Sequence, residues 1–109
     1  MIDLVTQHLD EIAALCRRYG VRRLDLFGSA ATGEFDPETS DLDFVATFAD
    51  TLSPDYADRY LDFADALEAL FGRPVDVLTE NMIGGPYFHQ AVEAARQPVY
   101  DERNAPAVA

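Results

Sequence analysis

Apolar residues recur along this chain at two different periods, and the alternation between them limits the architectures open to it. Val5, Leu9, Ile12, Cys16 and Tyr19 are spaced four, three, four and three apart, the repeat of one helical face. This predicts an amphipathic helix over residues 3–19, with Gly20 just past its end. The period then drops to two. Leu24 and Leu26 alternate with Arg23 and Asp25 within Val21–Phe27, as in a strand. A turn with one short helical turn is expected over residues 28–33, a surface loop over 34–40, and a second strand over Asp41–Phe48. Helical spacing returns with Tyr56, Tyr60, Phe63, Leu67 and Leu70, where Ser53 and Pro54 supply cap and first-turn residues. Gly72 ends that helix, and Pro74–Leu78 reads as a third strand. Phe88, Ala91, Val92 and Ala95 mark a last helix that Pro98 closes. Helices alternating with short strands imply a small α/β (α+β) layer structure, with a mixed sheet of three or more strands packed against helices. A length of 109 residues leaves room for one domain, expected over residues 1–104 with a disordered tail at 105–109.

Charge excludes some functions. Twenty acidic residues stand against eight basic ones, all arginine, for a net charge of −12. Sequence-independent binding of nucleic acid draws on many cationic contacts to phosphate, so it is not expected here. A phosphate ligand stays open, because a divalent cation can sit between carboxylates and phosphates. The charge would also steer a basic protein partner, or serve solubility alone. No apolar run approaches the roughly 20 residues that cross a bilayer. The opening segment has acids where a secretory peptide carries basic residues. A cytoplasmic location is therefore expected. Cys16 is the single cysteine, so an internal disulfide and a cysteine-based zinc cage are ruled out, and it reads as a core residue.

Two short features carry chemistry. Gly28-Ser29 follows the first strand, and Ser40-Asp41-Leu42-Asp43-Phe44 opens the second. Residues i and i+2 of a strand share a side, so Asp41 and Asp43 are expected to project together while Leu42 and Phe44 face the core. Two carboxylates at such range need a cation between them or raise each other's pKa. Magnesium suits them: it takes one or two carboxylates and completes its shell with water and phosphate oxygens. Gly28 permits close backbone approach, and Ser29 offers a hydroxyl and amide hydrogens to an anion. Asp76, between Val75 and Val77, would complete a three-carboxylate cluster if its strand lies beside that of Asp41 and Asp43. Asp25 reads as a solvent-facing strand acid, with approach to that cluster as the alternative. Tyr87 and Tyr100 are further candidates for contact with a base or a partner.

The stretch LFGSAATGEFDPETSDLDFVATF, followed by PVDVL, resembles the minimal nucleotidyltransferase (MNT) domains of the DNA polymerase beta superfamily. Leu26-Phe27-Gly28-Ser29, Ala31, Gly33, Ser40-Asp41 and Asp43 match that family's Gly-Ser signature and Asp-x-Asp, and Asp76 falls where its third carboxylate is expected. The resemblance implies a polymerase beta-like nucleotidyltransferase fold. It also implies Mg2+ held by Asp41, Asp43 and Asp76, and a triphosphate gripped at Gly28 and Ser29. Two departures stand out. Eleven residues separate Ser29 from Asp41, one more than is usual in the family. Ala30 replaces a common arginine, for which Arg22, Arg23 or Arg73 could substitute.

Small members of the family resemble the antitoxin halves of HEPN and MNT toxin–antitoxin pairs. This implies transfer of AMP from ATP to a tyrosine hydroxyl of a HEPN RNase toxin, in a hetero-oligomer with that toxin. Two other readings stand beside it. One is an acidic module that blocks the toxin sterically. The other is a nucleotidyltransferase for a small hydroxylated molecule such as an aminoglycoside, which would normally need an extra domain.

Overall fold

The computed structural model describes residues 1–103, and the tail expected at 105–109 lies outside the described residues. The first expected helix is divided into α1 (Asp3–Thr6) and α2 (Leu9–Tyr19). At the break, the His8 backbone N–H bonds to Val5 O, three residues back, at 3.0 Å. The His8 ring Nδ1 meets the Leu4 carbonyl at 3.0 Å. The side chain thus takes the acceptor that a continuous helix would give to the backbone.

Strands β1 (Val21–Phe27), β2 (Leu42–Phe48), β3 (Val75–Leu78) and β4 (Gln97–Asp101) form one sheet in the order β3-β2-β1-β4. β1 runs antiparallel to both of its neighbours, and β2 pairs with β3 in parallel. Between them lie α3 (Ser29–Thr32), α4 (Tyr56–Phe71) and α5 (Pro86–Ala95). The mixed sheet packed on helices is the expected class.

β4 corrects the expectation for residues 97–101. Pro98 does not close the last helix, which ends at Ala95, but sits inside a strand. Its missing N–H is tolerated because β4 is an edge strand. The β1–β4 register also shifts between Leu24 and Asp25, next to the Asp25–Pro98 pair.

Alternation along the strands gives the sheet two unequal faces. Leu24, Leu26, Leu42 and Phe44 pack with Ile12 and Cys16 of α2 and with Phe63 and Leu67 of α4 in the main core. On the opposite face, Phe27 and Val45 meet Val92 of α5, with Leu78 and Ile83 at the margin. The smaller core leaves the α5 side partly open at one end of the sheet. Among the described residues, no helix is long and apolar enough to cross a membrane.

Candidate active site

At that open end the exit of β1 meets the entries of β2 and β3. Phe27, Asp43 and Asp76 form one cross-strand row: Phe27 pairs with Asp43 across β1–β2, and Asp43 with Asp76 across β2–β3. Neighbouring strands lie about 4.8 Å apart, and side chains of one row share a face. The two carboxyls therefore sit side by side on the α5 face.

Asp43 is half-buried, and its carboxyl is pushed up to about 6, first by burial and then by the charge of Asp76, a hydrogen bond to Asp76 and the charge of Asp41. Asp76 is exposed. Gly28 adopts φ +70° and ψ −154°, a conformation that only glycine adopts readily. A Cβ at this position would overlap the Asp43 carboxylate. The β1 exit and the acid are thus in direct contact, and the closeness depends on a missing side chain.

Gly28, Ser29, Asp43 and Asp76 line a cavity of about 490 Å3, a size ordinary for a small-molecule site. Thr32 and Glu34 continue its polar side. Phe27 and Leu78 from the sheet, with Phe88, Ala91, Val92 and Ala95 from α5, form its apolar side. Four of the five expected site residues are brought together here. Asp41 is exposed and stands outside the lining, although its charge reaches Asp43.

Among the described residues, no three His, Cys, Asp or Glu side chains form a group that would enclose a metal ion. The donor set is a pair of adjacent hard oxygen ligands. Such a pair suits a small divalent cation that keeps water and phosphate oxygens in its shell, and it does not suit a closed protein cage or a soft metal.

None of the three arginines considered as phosphate contacts lines the cavity. Arg22 pairs with Glu102 at 2.8 Å, Arg23 with Asp25 at 3.1 Å, and Arg73 lies over the Phe35 ring at 5.0 Å. Asp25 is not solvent-facing: it is fully buried on the α5 side of the sheet. Arg96, just past α5, donates to it at 2.7 Å and also reaches Glu80 at 2.7 Å and Glu93 at 2.5 Å. This network ties the α5 wall to β1. Tyr100 is buried in the main core, whereas Tyr87 is exposed.

Sequence reasoning missed Glu34 and the α5 wall. The spacing of Phe88, Ala91, Val92 and Ala95 identified a helical face without showing that it lines a cavity. No local signal links Asp25 to an arginine 71 residues away.

Residues 11–99 match the profile of the nucleotidyltransferase domain family. A solved structure described as a minimal nucleotidyltransferase is 31% identical, with a TM-score of 0.70 over 89% of this chain and 96% of that one. Two more distant structures share the fold. One is a complex of a tri-AMPylated Shewanella oneidensis HEPN toxin with an MNT antitoxin (19% identity, TM-score 0.61, 91% of this chain and 74% of that one). The other is a toxin–antitoxin with AMP-PNP (22% identity, TM-score 0.62, 85% of this chain and 73% of that one). No curated protein matches the chain.

Proposed function

The chain belongs to the nucleotidyltransferase domain family, and within it we propose an antitoxin that transfers AMP from Mg2+-bound ATP to a tyrosine hydroxyl of a partner HEPN RNase toxin. The observation that carries this proposal is the pairing of Asp43 with Asp76 beside Gly28 on one cavity. The AMPylated toxin and the AMP-PNP named with its structural neighbours support the choice of chemistry and partner.

Asp43 and Asp76 are the residues that would hold Mg2+, with Asp41 adding charge from outside the lining. Bound there, the metal would neutralise phosphate charge and make the entering hydroxyl more acidic. Gly28 brings backbone close to the phosphates, and Ser29 offers its hydroxyl to them. The acceptor oxygen forms a bond to the α-phosphorus as the bond to the pyrophosphate oxygen breaks. Asp76, the more exposed of the two acids, takes the hydroxyl proton. The acceptor comes on a protein that brings its own surface. The cytoplasm, where ATP is held, is the compartment for this reaction.

The test is intact-mass measurement of the toxin after incubation with the chain, ATP and Mg2+. One or more AMP additions are expected with the wild type and none with Asp43→Asn. If the wild type adds nothing and still neutralises the toxin, the enzymatic reading fails. Neutralisation that is strongly salt-sensitive and indifferent to ATP would instead favour the acidic binding module, to which the charge of −12 points.

A further inference from the structure

The cavity has two chemically distinct halves in contact. The carboxylate pair and Gly28-Ser29 lie on one side, while the other is a wall of Phe88, Ala91 and Ala95 backed by Phe27. These α5 residues fall at i, i+3 and i+7, on a single face of the helix. Ala91 and Ala95 carry only a methyl group each, and they stand one turn apart beside the Phe88 ring. Phe88 as a residue is 43% exposed, although its ring meets Phe27 edge-on at 6.3 Å and 76°. A large aromatic side chain is thus left partly uncovered next to two minimal ones, inside a cavity.

The halves share a boundary. Phe27, which backs the apolar wall, is the direct cross-strand partner of Asp43. A ligand spanning the boundary would need an anionic end that a cation can bridge to carboxylates, and within a strand spacing or two a flat apolar end.

We propose that the Phe88–Ala91–Ala95 face of α5 is the base-binding half of the nucleotide site, taking a purine ring against small side chains with the Phe88 ring at its edge. This rests on the reading that the phosphates lie at Asp43 and Asp76. The wall offers no side-chain hydrogen-bonding group, so it recognises the base by shape and buried area. Ala91 is the residue that keeps the slot open.

The test is calorimetric titration of the full chain, in excess Mg2+, with ATP and separately with inorganic tripolyphosphate, for wild type and Ala91→Phe. Wild type is expected to bind ATP at least about tenfold more tightly than tripolyphosphate, the factor given by about 1.4 kcal/mol of added contact. Ala91→Phe should lose that advantage and bind tripolyphosphate as wild type does. Ala91 is exposed on its helix, and retained tripolyphosphate binding reports a folded variant. Phe88→Ala should lose part of the same advantage. Equal wild-type affinity for the two ligands, or an Ala91→Phe variant that keeps its preference for ATP, overturns the proposal. If Ala91→Phe binds ATP normally but no longer modifies the partner, the wall serves the acceptor and the proposal is again wrong. Binding of neither ligand by wild type removes the phosphate reading, and the base slot falls with it.

Discussion

Asp43 and Asp76 stand directly opposite each other in the parallel β2–β3 ladder, and among the described residues no cationic side chain lines their cavity. Burial and the facing acid push the Asp43 carboxyl up to about 6. A carboxyl raised above its unfolded value of about 3.9 binds more protons in the folded than in the unfolded chain between those two values. Its ionisation therefore removes stability as pH rises from about 4 to about 6. The thermal midpoint of the metal-free protein should show that loss, and Asp43→Asn should abolish it. At pH 7.5 the variant should melt above wild type while losing transferase activity. A midpoint below wild type there would contradict this account of the pair.

Mg2+ should recover what the acid pair costs. Added at pH 7.5 it should raise the melting midpoint, by about 2.7 kcal/mol of stability at a hundredfold excess over its dissociation constant. At pH 5, where Asp43 is mostly protonated, the gain should shrink. Asp43→Asn should show little gain at either pH. A Mg2+ effect of equal size at both pH values would place the ion elsewhere.

Gly28→Ala tests the contact between the strand exit and the acid. An alanine at φ +70° and ψ −154° is strained by about 1–3 kcal/mol, and its Cβ overlaps the Asp43 carboxylate. Mg2+-dependent ATP binding should fall by about tenfold or more, together with a loss of thermal stability. Circular dichroism should show the helices retained. Unchanged ATP affinity would mean that Asp43 yields without consequence.

Arg96→Ala leaves the fully buried Asp25 with Arg23 as its remaining partner. Breaking a buried pair from one side typically costs about 3 kcal/mol, which should appear in denaturant unfolding. Because Arg96 anchors the end of α5, ATP affinity should fall as well, through the wall. The double variant Asp25→Leu with Arg96→Met should be less destabilised than Arg96→Ala, since no charge is then stranded. Equal losses would show that the charge itself is not what the arginine compensates.

Much of this protein is legible from neighbouring residues. The helix and strand periods located α2, α4, α5 and the first three strands to within a few residues, because each buries one face and so must space its apolar residues accordingly. The helix break at His8 has no such signature, since a side chain competing for one carbonyl leaves the apolar spacing intact. β4 is hidden in the sequence because Pro98 resembles a helix stop until an edge position excuses its missing N–H.

The site divides the same way. The sequence by itself determined that Gly28-Ser29 leaves a strand and that Asp43 stands near the start of the next, since both follow from positions a few bonds apart. Only the tertiary structure decided that Asp43 faces Asp76, that Asp41 stays outside the cavity, that Asp25 is buried on Arg96, and that α5 supplies an apolar wall. Those outcomes depend on strand order and register. Both are chosen by the packing of distant segments against one another, and a period along the chain carries no record of which segments will meet.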